Sequence, residues 1–373
     1  MKRDGSNRPQ RPAIRETSPV MPRVNVNSFR GLPQVLARFG VPVEPVIGAV
    51  GLSLKDLDDP ERSVPFSDLD QVLGDCVTRT QCDHFGLLLG QYVDLQCFGV
   101  TGRLARHAPS VGIALRDLAV HFVLHDSGGV PSVAIQVDTV TFAYGINSTG
   151  VRHVDQVYDL SAAAMLNIMR QLCGPAWKAE AVMLPRKRPQ DIRAYREILG
   201  APLLFDAAHC AIRFPAFWLN NQVVDADPLL YTLLGDRAAV SLIRQAPMLL
   251  DDVRRAIRLL LMAGNCSRAQ VAEHLQMHSR TLGRRLQESG TTYQAVIDDI
   301  RAQMAMQLLQ DTRTSIARIA AAVGYRDPEV FTRAFRRWTG MTPHEYRRLI
   351  PAAGSPGPDC DFSPGSSTST WLP

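Results

Sequence analysis

The sequence predicts a two-domain fold in which an α+β domain precedes an all-α domain. Residues 28–225 mix apolar residues at helical spacing with short runs of β-branched and aromatic residues, which are typical of strands. Residues 248–350 keep helical spacing almost throughout, and their short breaks hold Gly, Pro, Asn, Ser and Thr, the residues of helix boundaries. Residues 226–247, where the composition changes, are expected to connect the two domains.

The elements of the α+β domain follow from changes of period along the chain. Apolar residues three or four apart predict helices, whereas runs of β-branched and aromatic residues predict strands. The predicted helices cover residues 69–77, 115–122 and 159–172. The predicted strands cover residues 133–138 and 140–145, with further candidates at 181–184 and 210–214. Both kinds of element in one segment favour a sheet with helices packed on it.

Both ends of the chain are poor in apolar residues. Residues 1–27 are predicted to be a disordered basic arm, and the Gly-, Pro-, Ser- and Thr-rich residues 351–373 a disordered tail. The longest stretch without Asp, Glu, Lys or Arg is residues 139–151, which is too short to span a bilayer. The arm lacks the apolar run of a secretory signal, and seven cysteines without paired spacing suit a reducing compartment. The sequence therefore predicts a cytoplasmic protein without a membrane partner.

The charge is distributed unevenly along the chain. The formal net charge is +5, yet residues 31–250 are net acidic, whereas residues 251–350 carry 16 basic and 10 acidic residues. Every base in residues 251–350 is arginine, whose planar guanidinium suits bidentate contacts with phosphate and guanine. This asymmetry places any nucleic-acid contact in the C-terminal third.

Residues 267–290 predict a helix-turn-helix unit, in which two short helices are joined by a turn and closed by a glycine. At 100° per residue, the second helix places Leu282 and Leu286 on one face. Arg280 and Arg284 lie on the opposite face. One side of the helix can therefore pack on its partner helix while the other enters a major groove.

Residues 315–340 predict a second unit of the same kind. Asp327 and Pro328 supply the cap and the first residue of its second helix. Phe331 and Phe335 face inward at helical spacing. The residues that face outward are Glu329, Thr332, Arg333 and Arg336.

Residues 293–309 keep helical spacing and are predicted to join the two units as one rigid helix. Seventeen residues at 1.5 Å each span about 25 Å. A connector of that length can set two second helices in successive major-groove segments, which are about 34 Å apart. A single helix pair with a polar face is more often plain helical packing. Two basic units joined in this way, however, predict that the protein binds double-stranded DNA.

The two units resemble the DNA-binding motifs of the AraC/XylS family of bacterial transcription regulators. The stronger match is IARIAAAVGYRD at residues 316–327 with FTRAFRRWTGMTPHEYR at 331–347, and the weaker match is MHSRTLGRRL at 277–286. The resemblance covers about residues 248–350. It implies a double helix-turn-helix domain that binds DNA and contacts RNA polymerase.

By position, the resemblance also implies which side chains meet DNA. The implied base contacts come from Arg280, Arg284, Glu329, Thr332 and Arg333. The arginines expected to contact phosphates are Arg285, Arg336 and Arg337. Gly283 and Pro328 also match base-reading positions, but neither side chain can donate to a base. Glutamine is frequent in the family at the position of Gly283.

The N-terminal domain resembles the effector domain of one AraC branch, the arabinose-binding-like type found in ornithine-utilisation regulators. The matching stretches are residues 85–90, 98–102, 114–118 and 214–230. The resemblance implies a domain that binds a small-molecule effector or forms a homodimer, and the label does not imply that arabinose binds. Residues 159–172 are a candidate dimer surface. Activation and repression both stay open.

Two alternatives remain beside this interpretation. An enzyme with an appended DNA-binding domain is disfavoured, because the sequence has no Gly-Lys pair, no HExxH and no GxSxG. A redox- or metal-responsive regulator of the same architecture would use N-terminal cysteines such as Cys76 and Cys82, or His121 with His125. Core thiols and a packed histidine pair explain these residues more simply, so we expect no metal site and no cofactor.

Overall fold

The computed structural model describes residues 21–349, apart from residues 60, 149, 245–248, 263, 265 and 276. The strands are β1 (Arg23–Asn25), β2 (Ser63–Pro65), β3 (Gly129–Gln136), β4 (Thr139–Ile146), β5 (Ala181–Met183), β6 (Leu203–Leu204) and β7 (Cys210–Pro215). The helices are α1 (Leu32–Ala37), α2 (Glu44–Gly48), α3 (Phe66–Thr80), α4 (Phe85–Gly90), α5 (Gly99–Arg106), α6 (Val111–His121), α7 (Val154–Cys173), α8 (Arg193–Leu199), α9 (Pro228–Arg244), α10 (Leu249–Met262), α11 (Arg268–His274), α12 (Ser279–Glu288), α13 (Tyr293–Asp311), α14 (Ile316–Ala322), α15 (Pro328–Thr339) and α16 (Pro343–Leu349). None of these helices is long and apolar enough to cross a membrane. The predicted fold class, an α+β domain followed by a helical domain, is confirmed.

A five-stranded sheet in the order β3-β4-β7-β5-β6 forms the centre of the N-terminal domain. Neighbouring strands are antiparallel except for β5 and β6, which are parallel. Val140 and Phe142 of β4 are buried, and Val140 lies opposite Phe214 of β7. Such cross-strand pairs of β-branched and aromatic residues stabilise a sheet, and here they hold its inner strands together.

Helix α7 is internal to the N-terminal domain. Fifteen of its 20 residues are buried, and it packs against α4 and β7. Glycines of α4 permit this close approach, because a Cβ on Gly86 would lie 2.1 Å from the carbonyl oxygen of Gln156. The interpretation of residues 159–172 as a dimer surface is therefore wrong. Apolar periodicity predicted the helix but did not show that its other face is covered as well.

Strand β1 lies inside the predicted N-terminal arm, so the arm boundary at residue 27 is too far along the chain. Val24 and Val26 are buried, and the backbone N–H of Asn25 donates to the carbonyl oxygen of His125 at 2.8 Å. These apolar residues tie the segment to the domain. The rest of the predicted arm, residues 1–20, and the predicted tail, residues 351–373, lie outside the described residues.

The predicted interdomain connection contains helix α9. The carboxylate of Asp227 accepts a hydrogen bond from the backbone N–H of Leu229 at 2.9 Å and caps the helix, and Pro228 follows the cap. The hydroxyl of Tyr231 donates to the carboxylate of Asp117 on α6 at 2.7 Å. The connection thus leaves the N-terminal domain as a helix that is anchored at its start.

The C-terminal domain has two separate apolar cores. One lies between α10, α11, α12 and the first half of α13, and the other lies between the second half of α13, α14 and α15. Helix α13 contributes Ile297 and Ile300 to the first core, and Ala305 and Leu308 to the second. The predicted connector is therefore one helix that both units share.

The two domains meet along a seam, formed by β3, β4 and α7 on one side and by α10 and α13 on the other. Gly145 of β4 lets α10 come close, because a Cβ there would lie 2.7 Å from the sulfur of Met262. The side-chain amide of Gln307 on α13 donates to the hydroxyl of Tyr158 on α7 at 3.2 Å. The seam therefore joins the sheet to α10 and helix α7 to the connector α13.

Candidate nucleic-acid interface

The first helix-turn-helix unit consists of α11 and α12. The hydroxyl of Ser267 caps α11 by accepting a hydrogen bond from the backbone N–H of Gln270 at 3.3 Å. Val271 of α11 packs with Leu282 and Leu286 of α12, and all three are fully buried. The inward facing predicted for the two leucines is confirmed. The opposite face of α12 is left to solvent.

The arginines predicted to contact DNA lie on that exposed face or, for Arg285, at its edge. Arg280, Arg284 and Arg285 are all exposed. The Nε of Arg284 lies 3.8 Å from a carboxylate oxygen of Glu288, and these side chains are 70% and 62% exposed. An ion pair this exposed contributes little to stability, so Arg284 can exchange the carboxylate for a DNA acceptor at small cost.

The second unit consists of α14 and α15, and it has the caps that the sequence predicts. The carboxylate of Asp327 accepts from the backbone N–H of Glu329 at 2.8 Å. Gly340 ends α15 with a φ of 83°, a conformation that favours glycine. Phe331 and Phe335 are fully buried in the second core. Helix α15 therefore repeats the arrangement of α12.

The residues of α15 that are predicted to contact DNA lie on the side opposite the phenylalanines. Four of them are exposed: Glu329, Arg333, Arg336 and Arg337. Thr332 is half-buried, and its hydroxyl donates to the carbonyl oxygen of Pro328 at 2.9 Å. Its oxygen therefore remains available as an acceptor. The Nη2 of Arg337 lies 3.1 Å from the carboxylate of Asp298 on α13, so Arg337 already has a partner within the protein.

Helix α13 sets the distance between α12 and α15. Its 19 residues correspond to about 28 Å at 1.5 Å per residue. The guanidinium of Arg301 on α13 lies 4.8 Å from the ring centre of Tyr325, in the turn before α15. This contact and the ion pair of Asp298 hold the second unit to the connector. The two exposed helices are therefore carried by one rigid element.

Sequence reasoning missed an arginine at this surface, Arg268. It is the first residue of α11, and its Nη2 donates to the carbonyl oxygen of Ser279 at 2.6 Å. Its guanidinium lies beside Gly283, where a Cβ would come within 2.2 Å of Nη2. A glycine on the outward side of a helix is a signal in the sequence, but nothing along the chain tells which side chain occupies the free space.

Two family models match the chain. One, described as the arabinose-binding domain of AraC transcription regulators, N-terminal, matches residues 40–223, and one described as a helix-turn-helix domain matches residues 271–349. The chain combines the N-terminal domain of AraC transcription regulators with a helix-turn-helix domain. It is thus a DNA-binding transcription regulator with an N-terminal ligand-binding domain.

Relatives of this chain carry the names of regulators. It is 28% identical to the HTH-type transcriptional regulator VirS of Mycobacterium tuberculosis, over 71% of this chain and 79% of VirS. It is 27% identical to the Ornithine utilization regulator of Pseudomonas aeruginosa, over 87% of this chain and 96% of that protein. The crystal structure of the transcriptional regulator CdpR from Pseudomonas aeruginosa is 24% identical, covers 86% of this chain and 98% of CdpR, and has a TM-score of 0.43. The domains and named relatives are those of a regulator and not of an enzyme.

The N-terminal domain holds a buried charged cluster. The carboxylate of Asp159 on α7 is fully buried, pairs with the guanidinium of Arg186 and accepts from the hydroxyl of Tyr195 at 2.5 Å. Burial raises the pKa of the Asp159 carboxyl, whereas Arg186 favours its ionised form. Asp159 therefore lies inside the domain as half of an ion pair, although the helical pattern had suggested a surface.

A cavity lies in the seam and is lined by Tyr158, His209, Arg258 and Met304, among others. Its enclosed volume of about 30 Å³ is room for roughly two waters. Arg258 is buried, and burial lowers the pKa of its guanidinium to about 10. The Nη2 of Arg258 donates a hydrogen bond to the side-chain oxygen of Gln303 at 2.6 Å. Among the described residues, its Nε has no hydrogen-bond partner, and no carboxylate lies within ion-pair distance of the guanidinium.

Of the cysteines and histidines that a redox or metal sensor would use, Cys76, Cys82 and His125 are buried. Burial raises the pKa of the Cys76 thiol to about 12, the opposite of what a reactive thiolate needs. His121 ends α6, whereas His125 lies beyond that helix, buried, with its ring centre 4.5 Å from that of Phe98. Within the part of the chain that the structure describes, no group of three His, Cys, Asp or Glu residues could hold a metal ion.

Proposed function

We propose that this regulator binds DNA with α12 and α15 in successive major-groove segments on one face of the duplex. The shared facing of the two helices carries the proposal. Each buries an apolar pair, Leu282 and Leu286 or Phe331 and Phe335, and each exposes arginines on the opposite side. A helix that is packed on one side and basic on the other suits entry into a groove. Helix α13 supplies a spacing of the right order.

The proposed base contacts differ in chemistry between the two helices. On α12, Arg280 and Arg284 can each donate two hydrogen bonds to a guanine. On α15, Arg333 can do the same, whereas Glu329 can accept from the amino group of cytosine. The oxygen of Thr332 can accept as well, because its proton is directed to the helix backbone.

The proposed phosphate contacts come from Arg285, Arg336 and Arg337. Arg285 and Arg336 are exposed on the flanks of the base-reading faces, where contacts to phosphate fix the position of a helix on the duplex. Arg337 would exchange its ion pair with Asp298 for a phosphate, which costs little because its side chain is 64% exposed.

We further propose that a small-molecule effector controls DNA binding through the seam. Arg258 is a buried cation without a carboxylate partner there, which is an unfavourable arrangement that a change at the seam can relieve. Because the seam includes α13, any shift of the N-terminal domain against it would move both exposed helices. The proposal includes pairing of two copies and contact with RNA polymerase, both implied by the family resemblance.

Selection of genomic fragments by the full-length protein, followed by titration of affinity against salt, tests the proposal. We expect one enriched site with two short boxes about one helical turn apart, bound far more tightly than random DNA. Steep salt dependence without an enriched sequence would contradict base reading by the two helices. The same selection with residues 249–349 alone then separates this outcome from inhibition by an N-terminal domain that lacks its effector.

A further inference from the structure

Among the positions at which the two helix-turn-helix units differ, two are in contact with each other in the first unit. The first helix of each unit starts one residue after a serine cap, with Arg268 in the first unit and Ile316 in the second. The fifth residue of the second helix is Gly283 in the first unit and Thr332 in the second. The second unit thus carries its own side chain at this groove-facing position. The first unit lacks one there but has an arginine at the start of the neighbouring helix.

The arginine fills the space that the glycine leaves. A Cβ on Gly283 would lie 2.2 Å from the Nη2 of Arg268, so the guanidinium lies where the first atom of a side chain would be. The hydrogen bond to the carbonyl oxygen of Ser279 holds it against α12. This bond uses one of the five N–H donors of the guanidinium, and the side chain is exposed. No described carboxylate lies within ion-pair distance of Arg268.

We propose that Arg268 is a specificity-determining residue, which reads a base from α11 in place of the side chain that α12 lacks at Gly283. The inference rests on the proposed entry of α12 into the major groove. The target is the O6 and N7 edge of a guanine, which an arginine contacts with two donors. Its tether to Ser279 reduces the freedom that the side chain loses on binding, which favours a fixed base contact over a loose phosphate contact.

Three variants of the full-length protein test this assignment on the selected site. The DNA set consists of that site and copies in which each base pair of the box under α12 is changed in turn. We expect Arg268→Ala to lose about 5- to 150-fold of discrimination at one base pair. Gly283→Ala displaces the guanidinium and should lose discrimination at the same base pair. The double variant should lose no more than either single variant, because both changes remove one contact.

Gly283→Ala separates this effect from damage to the fold. Alanine favours a helix over glycine, so the variant should melt at a higher temperature than the wild type while reading one base pair less well. Arg318→Ala is the matched control, since Arg318 is exposed in the first helix of the second unit and its loss changes the net charge equally. We expect the control to leave discrimination in the box under α12 unchanged.

Two results would overturn the assignment. If Arg268→Ala weakens binding equally on all sequences of the set, Arg268 contacts phosphate, and the proposed function stands without this residue as a base reader. If the wild type itself does not distinguish any sequence of the set, both the assignment and the proposed function fail.

Discussion

The side-chain amide of Gln307 on the shared connector helix donates a hydrogen bond of 3.2 Å to the hydroxyl of Tyr158 on the central helix of the N-terminal domain. A second link lies nearby, because the carbonyl oxygen of Asp206 accepts a hydrogen bond from the hydroxyl of Thr314, just before α14. The ligand-binding domain therefore touches both the connector and the second helix-turn-helix unit. These contacts join the two domains directly.

The Gln307 link should stabilise the full-length chain and not the isolated C-terminal domain. Gln307→Ala is expected to lower the free energy of unfolding of the full-length protein by about 1 kcal/mol, the usual contribution of one hydrogen bond. The same change in residues 249–349 should have no such effect. Gln310→Ala is the control, since its amide bonds to Tyr346 inside the same domain at 3.0 Å. Equal losses for Gln307→Ala in both proteins, measured by urea denaturation, would contradict a role at the seam.

The buried ion pair in the N-terminal domain should be sensitive to loss of one partner. Asp159→Asn leaves Arg186 buried without its nearest charge, and we expect a loss of about 3–5 kcal/mol in the free energy of unfolding. Asp191→Asn is the control, because the side chains of the Asp191–Arg193 pair are 51% and 69% exposed, and the change should leave the free energy of unfolding nearly unaltered. Similar denaturation curves for the two variants would show that the buried pair does not stabilise the domain.

The second core should depend on Phe335. Phe335→Ala removes a fully buried ring that lies 5.8 Å from the ring of Phe331, and it should cost about 3–5 kcal/mol. Val330→Ala, on the same helix but 39% exposed, should cost less than about 1 kcal/mol. Thermal melting of residues 249–349 measures both. A wild-type melting curve for Phe335→Ala would show that the ring does not face inward.

The buried imidazole of His125 should make the protein less stable in acid. Burial lowers the pKa of His125 from 6.5 to about 4, so the unfolded chain binds a proton between these values while the folded chain does not. Stability is therefore lost as the pH falls through this window, by about 3 kcal/mol at pH 4. Burial raises the pKa of the neighbouring Asp126 to about 6, which acts in the opposite direction.

Comparison of the wild type with His125→Gln isolates the contribution of the histidine, because Asp126 is common to both proteins. We expect the difference in free energy of unfolding between wild type and variant to fall by about 3 kcal/mol from pH 7.5 to pH 4. A constant difference across this range would mean that His125 is accessible to protons in the folded protein.

The second helix-turn-helix unit could be predicted from local sequence. Asp327 and Pro328 start its second helix, Gly340 ends it, and the spacing of Phe331 and Phe335 gives its facing. Each of these signals acts within a few residues, so the sequence alone contains them. The exposed face of α15 follows directly from the buried one.

Features that depend on distant residues could not be predicted in this way. Asp159 looked like a surface residue, because its partner Arg186 lies 27 residues further along the chain. Gly283 looked like a missing contact, because Arg268 fills its space from another helix. Seam contacts such as that of Gln307 with Tyr158 join residues 149 positions apart. Periodicity carries no information on such pairings.

The most direct test of the two-helix account compares Arg284→Ala with Arg333→Ala on the selected site and on random DNA. If α12 and α15 each read one box, each variant should lose about 1–3 kcal/mol of binding free energy on the selected site, and each should lose discrimination in a different box. Equal losses on selected and random DNA for both variants would contradict the account, because the two arginines would then serve only as phosphate contacts.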